Sequence, residues 1–127
     1  MSDTVITISV EDIDIDAKLD KSATAVKILD ALPLDGTVNT WGEEIYFSIP
    51  VNAEQEPEAR EDVEVGELAY WPVGKAFCIF FGPTPVSVDN KPRAYSPVNV
   101  FGCILGDASV FKKVSNNAII RVTRKYS

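Results

Sequence analysis

The stretch Tyr70-Trp71-Pro72-Val73-Gly74-Lys75-Ala76-Phe77-Cys78-Ile79-Phe80-Phe81-Gly82-Pro83-Thr84-Pro85 decides how the chain is read. Residues 76–81 form an unbroken apolar run. Pro72 and Gly74 close it on one side, and Gly82, Pro83 and Pro85 on the other. A short apolar run bounded by turn residues predicts a strand buried on both faces. Such a strand belongs at the centre of a core. The residues just past its end are held at the rim, where a binding site is easiest to build.

Upstream, two alternating segments open the chain. Ile6, Ile8 and Val10 share one face of a strand over 4–10. Ile13, Ile15, Ala17 and Leu19 share one face of the next, opposite Asp12, Asp14, Asp16 and Lys18. Glu11-Asp12 is the turn of this hairpin. The Asp-x-Asp-x-Asp spacing invites a calcium loop, but that loop needs glycine at its sixth position and glutamate at its twelfth. Ala17 and Ala23 stand there, so the carboxylates are read as a solvated strand face. Ser22 is an N-cap, and Ala25, Ile28, Leu29 and Leu32 follow at helical spacing. This predicts one amphipathic helix, about 23–32, ended by Pro33.

Strands follow at 36–41 and 43–50, broken by Gly42. In the second, Ile45, Phe47 and Ile49 share one face, and Glu44, Tyr46 and Ser48 the other. That strand can serve core and pocket together. Residues 51–62 are polar and acidic and read as a mobile surface loop. Strand signals resume at Val63 and Val65, Gly66-Glu67 turns the chain, and 68–71 is a short strand ending in the large aromatic Trp71, read as structural.

After the central strand, 82–97 reads as a long loop restricted by Pro83, Pro85, Pro92 and Pro97, a length often tied to function. Residues 98–105 form an apolar strand in which Gly102 marks a bulge or a close backbone approach. A helical turn at about 108–113, a turn at Asn116-Asn117 and a strand at 118–124 complete the chain. These elements predict a mainly β fold, a closed barrel of about eight strands with one helix and one short helical turn.

The totals bound the chemistry. One domain over 1–127 fits the length. No histidine is present, which removes the commonest general base and metal ligand and every Ser-His-Asp or Cys-His arrangement. Two cysteines cannot close a zinc site, so no metal and no cofactor is expected. Cys78 and Cys103 lie in apolar surroundings and predict buried thiols, although their spacing alone leaves a bridge open. No apolar run is long enough for a membrane span and no basic-then-apolar leader opens the chain, so a cytoplasmic protein is expected. The net charge of −7 argues against nucleic acid as a partner. Residues 1–67 carry 17 acidic and 4 basic side chains, and residues 68–127 carry 2 and 8. Mutual neutralisation on the folded surface is expected.

The order strand, strand, helix, several strands, long loop, strand, helical turn, strand resembles the cyclophilin fold. Val98-Asn99-Val100-Phe101-Gly102-Cys103-Ile104, then Gly106-Asp107 and Val110-Phe111-Lys112-Lys113-Val114, look like the late cyclophilin strand and its short helix. Three pieces, Trp41-Gly42-Glu43-Glu44-Ile45-Tyr46-Phe47, Gly66-Glu67-Leu68-Ala69-Tyr70-Trp71-Pro72 and Phe80-Phe81-Gly82-Pro83-Thr84-Pro85, are similar to a family of small prokaryotic cyclophilin-like proteins without assigned function.

The resemblance also marks what is missing. Prolyl isomerases of this fold carry a catalytic arginine on an early strand, and residues 45–49 hold none. Their histidine is Val98 here, and the region of their tryptophan reads Arg93-Ala94-Tyr95. Arg93, placed on the long loop, is the one arginine left to polarise a prolyl amide and lower its rotation barrier. No catalytic residue is therefore assigned.

The expected site is a rim pocket for a peptide or small molecule, built from Glu44, Tyr46, Phe80, Thr84, Arg93 and Tyr95. Alternation puts Phe80 and Phe81 on opposite faces, one in the core and one at the rim. A weak or atypical prolyl isomerase is the first alternative. A protein–protein interaction domain using 51–62 or the basic C-terminal end is the second.

Overall fold

The computed structural model describes residues 4–126. Among them, ten strands, one α-helix and one 3-10 helix follow in order. They are β1 (Thr4–Val10), β2 (Ile13–Leu19), α1 (Ala23–Ala31), β3 (Leu34–Thr37), β4 (Asn39–Thr40), β5 (Glu44–Ser48), β6 (Arg60–Asp62), β7 (Glu67–Trp71), β8 (Ala76–Phe80), β9 (Arg93–Leu105), the 3-10 helix (Ala108–Lys113) and β10 (Ile119–Tyr126). No helix among the described residues is long and apolar enough to cross a membrane.

The wall runs β3-β10-β1-β2-β9-β7-β8-β5-β4, with each stated neighbour pair antiparallel. Its two ends, β3 and β4, are consecutive in the chain and joined through Val38. The mainly β class is as expected, but hydrogen bonds do not close the sheet into a barrel: among the described residues no ladder joins the two end strands, and only the chain links them. Val38 donates its N–H to the Ala118 carbonyl at 2.8 Å, and its own carbonyl accepts from Asn117 N–H at 2.8 Å.

The apolar faces predicted from alternation fill the interior. Ile6 and Ile8 from β1, Ile45 and Phe47 from β5, Leu68 and Tyr70 from β7, and Phe77 and Ile79 from β8 are all essentially inaccessible. Phe77 stacks on Phe47 and meets Phe101 edge-on, each at 5.1 Å between ring centres. Ser22 Oγ accepts from Ala25 N–H at the start of α1, as its capping position predicts, and Ile28 is buried. Gly102 allows close approach: a Cβ there would stand 2.4 Å from the Lys18 carbonyl oxygen.

β8 is buried at every residue, as its apolar run requires. Its inner side joins the main core. Its outer side carries Ala76, Cys78 and Phe80, which pack with Val63, Ala69, Ala94 and Val98 into a second cluster. The cover comes from β9. Residues 99–105 pair with β2 and β7, while Arg93 and Val98 pair with β6. The first half of β9 thus leaves the barrel wall and arches with β6 over the outer side of β8.

This arch corrects two expectations. β9 begins at Arg93, five residues before the expected strand, so Arg93 and Tyr95 stand on a strand and not on the long loop. Pro97 is tolerated because this half of β9 forms only a sparse pairing with β6. The loop 51–62 contains β6 and is tied down. Glu56 N–H donates to Asn99 Oδ1 at 2.8 Å, Asn99 Nδ2 donates to the Glu54 carbonyl at 2.8 Å, and Tyr70 donates its hydroxyl to the Val51 carbonyl at 2.6 Å.

Cys103 is exposed, against expectation, because it lies on the outward side of β9 between Lys18 and Glu67; both cysteines are free thiols. Asp14 and Asp16 face outward and accept from Ser9 and Thr7. Acidic and basic halves pair across the surface, as Arg121–Asp35 at 2.7 Å and Lys125–Asp16 at 2.5 Å.

Candidate functional site

Between the arch and the barrel lies a pocket of about 150 Å³. Three local devices build it. The first is the turn joining β4 to β5. Trp41 and Glu44 exchange backbone hydrogen bonds at 2.9 and 3.2 Å, and Gly42 turns the chain with φ +59°. A Cβ at Gly42 would stand 2.9 Å from the Thr84 Cα, so glycine is required there on both counts. The turn sets the partly exposed Trp41 ring and the buried Glu44 side chain into the pocket lining.

The second device is the turn between β7 and β8. Trp71 pairs in register with Ala76, and Gly74 leaves room for the indole: a Cβ there would stand 2.5 Å from ring carbons. Trp71 Nε1 donates to Ser96 Oγ at 2.6 Å, which fastens the ring between β7 and the arch. The third is strand register. Cys78 on β8 lies opposite both Tyr46 on β5 and Ala69 on β7, so Tyr46 and Cys78 share the outward side next to Glu44. Ala94 and Val98 of β9 line the pocket from the arch, opposite Cys78, and Tyr95, 69% exposed, forms the lip.

The aromatic walls stand edge-to-face in a chain. Trp41 meets Tyr95 at 6.1 Å and 75°, Tyr95 meets Trp71 at 6.1 Å and 82°, and Trp71 meets Tyr46 at 6.4 Å and 76°. Glu44 is 5% exposed among them. Burial pushes its carboxyl up to about 7 from an ordinary 4.5, with the Cys78 thiol as a weaker opposing influence. Burial, and then the charge of Glu44, push the Cys78 thiol well above its ordinary value. That thiol donates to the Ala76 carbonyl at 3.8 Å. Among the described residues no lysine or arginine lines the pocket.

Of the residues singled out from sequence, the pocket brings together Glu44, Tyr46 and Tyr95. The other three lie elsewhere. Phe80 is fully buried in the second cluster, in register with Glu44, and Phe81 is buried in the main core. The two phenylalanines do take opposite faces, but the arch covers the outer face, so neither reaches a rim. Thr84 is buried and donates its hydroxyl to the Arg93 carbonyl at 2.5 Å, pinning the long loop to the start of β9. Arg93 forms an ion pair with Glu61 at 2.9 Å.

Sequence patterning did not single out Trp41, Trp71, Cys78, Ala94 and Val98 as pocket residues. One signal existed: on 68–71 and 76–81, Trp71 and Cys78 alternate away from the core face. Trp71, read from sequence as structural packing, is a pocket wall.

Comparison with known proteins agrees with this architecture. A family model described as cyclophilin-like matches residues 4–123. The solution structure of a hypothetical protein from Archaeoglobus fulgidus is similar, with a TM-score of 0.82, 38% sequence identity, and coverage of 97% of this chain and 95% of that one. No curated protein matches the chain. A match over nearly the whole barrel, together with a relative of this identity and coverage, means that the chain belongs to the cyclophilin-like family.

Proposed function

We infer that residues 1–127 act as one cyclophilin-like binding module, which takes a peptide segment or small organic ligand into the pocket without efficient catalysis. The observation that carries this reading is the aromatic-walled pocket with a single carboxyl in its depth. Apolar concavities with a few convergent polar groups are the usual form of small-ligand sites. The absence of a lining arginine among the described residues supports binding over isomerisation, since nothing there can polarise a prolyl nitrogen. Arg93, the one candidate for that role, is engaged with Glu61 instead.

Titration of the labelled protein with proline-containing peptides and small amines tests the reading by backbone amide shifts. Shifts concentrated at 41–46, 71–78 and 93–98 are expected. If amides elsewhere move and these do not, the pocket has no binding role. A coupled assay on a proline tetrapeptide is expected to match the uncatalysed rate, unchanged in Arg93→Ala. Acceleration that Arg93→Ala abolishes would restore the isomerase reading.

A further inference from the structure

The walls and depth of the pocket differ in electrostatic character from an ordinary apolar cleft. Trp41, Tyr95, Trp71 and Tyr46 line one space, and successive rings stand at steep angles to one another. An aromatic face carries the negative lobe of the ring quadrupole, and several faces around one space attract a cation strongly once water is excluded. Glu44 adds a carboxyl at the same space. Among the described residues no ion pair partners it, and no lysine or arginine lines the pocket. The site is therefore short of positive charge. Its volume of about 150 Å³ has room for several waters' worth of ligand atoms, at roughly 10–15 Å³ of such space per water, enough for a compact, branched head group and too small for a folded peptide.

Hard metal ions fit poorly. They require several oxygen ligands, and the pocket offers one carboxyl and one thiol held neutral by burial. A soft, weakly hydrated organic cation meets each feature: rings for its methyl groups, a carboxylate for its charge, and no demand for further hydrogen bonds.

We propose that the pocket binds a methylated or quaternary ammonium group, caged by Trp41, Tyr46, Trp71 and Tyr95 and neutralised by Glu44. This rests on the binding-module reading above and names its ligand chemistry. Glu44 is the charge that matters. The titratable groups facing it are Cys78 from β8, Tyr46 from β5 itself and Tyr95 from β9, while β7 presents Trp71 and the turn before β5 presents Trp41. Without a ligand Glu44 is half protonated near neutrality, and a bound cation requires it ionised. Affinity should therefore rise about tenfold between pH 6 and pH 8, following the ionised fraction of a group titrating near 7.

The test compares choline with its neutral carbon isostere, 3,3-dimethyl-1-butanol, by calorimetry and amide shifts on the intact protein. A trimethyllysine peptide beside the same peptide with unmodified lysine separates a protein-borne source from a free metabolite. Choline or the trimethyllysine peptide should bind at least tenfold more tightly than its control, and the preference should collapse in Glu44→Gln. Trp41→Ala, in a partly exposed wall, should weaken the cation without unfolding the barrel. Equal binding of choline and the isostere, with no pH dependence, overturns the cation assignment and leaves a pocket that is merely apolar. No shift from any probe at 41–46, 71–78 or 93–98 overturns the pocket reading as well.

Discussion

Asn99 on β9 is 1% exposed and Glu44 on β5 is 5% exposed, so the barrel wall buries two strongly polar side chains. Every hydrogen-bonding position of Asn99 toward its neighbours is engaged. It accepts from Glu56 N–H and donates to Thr24 Oγ1 and the Glu54 carbonyl, at 2.8, 3.1 and 2.8 Å. Thr24 continues the network to the Glu56 carboxylate. Glu44 has a thiol beside it, four aromatic rings around it and open space in front. The first arrangement sews a loop and a helix start to the wall. The second keeps a carboxyl in an unfavourable medium and gains nothing for the fold. A satisfied buried polar group reads as architecture, and one facing a cavity without a countercharge reads as a site.

That contrast breaks down if the two residues respond alike to substitution. Asn99→Ala should show the largest effect, a loss of about 3 kcal/mol in urea unfolding, because the part-buried Glu56 N–H and Glu54 carbonyl and the Thr24 hydroxyl all lose their partner and a buried side chain is removed. Proteolytic cleavage near 52–58 should rise with it. Glu44→Gln should act in the opposite direction and depend on pH. Below 4.5 the carboxyl is protonated in folded and unfolded chains alike, and the variant should match the parent. Between 4.5 and about 7 the unfolded chain ionises while the folded carboxyl stays protonated, so the parent loses stability progressively and the loss is complete above about 7. By pH 8 the variant should be ahead by about 3 kcal/mol, since each tenfold difference in proton affinity between the folded and unfolded carboxyl is worth ~1.4 kcal/mol. A variant no more stable than the parent at pH 8 would remove the contrast.

Thr24→Ala should lose about 1.5 kcal/mol, since the Glu56 carboxylate can turn to water once the hydroxyl is gone. The smallest effect concerns the thiols. Cys103 is exposed and should react with a disulfide reagent in the native protein, whereas Cys78, beside Glu44 and 1% exposed, should react only on unfolding. Fast labelling of Cys78 in the folded chain would mean that the pocket opens to its floor.

Patterns with short range were legible in the sequence. The β1–β2 hairpin, α1 with its Ser22 cap, the double burial of β8 and the inner and outer faces of β5 all follow from alternation or helical spacing within one segment. The early start of β9 was hidden because Pro92 precedes it and Pro97 lies within it, and proline forbids an ordinary ladder but not the sparse pairing with β6. β6 itself is three polar residues without an alternating face. The site was half visible for a related reason. Glu44 and Tyr46 lie on one strand and announce each other. Tyr95 was named from sequence as well, whereas the alternation of Trp71 and Cys78 says only that they face away from the core; the registers of β7 and β8 bring them to Tyr46, and register between distant strands leaves no local trace. Phe80 was misplaced because alternation predicts its face and says nothing of the arch that covers it.

The junction at Val38 has a dynamic consequence. A hoop of ladders resists opening equally all round, but this wall has a seam. β4 is held to β5 by the pairs Asn39–Tyr46 and Thr40–Ile45, whereas β1 and β10 are paired over most of their length. Local unfolding takes the path with the fewest bonds to release. Amide exchange should accordingly be faster across 37–41 than in β1 or β8. Trp41 follows β4 directly, so one wall of the pocket is hung on the strand with the fewest ladder pairs in the wall, and substitutions that loosen 37–41 should disturb the Trp41 ring before they disturb the core.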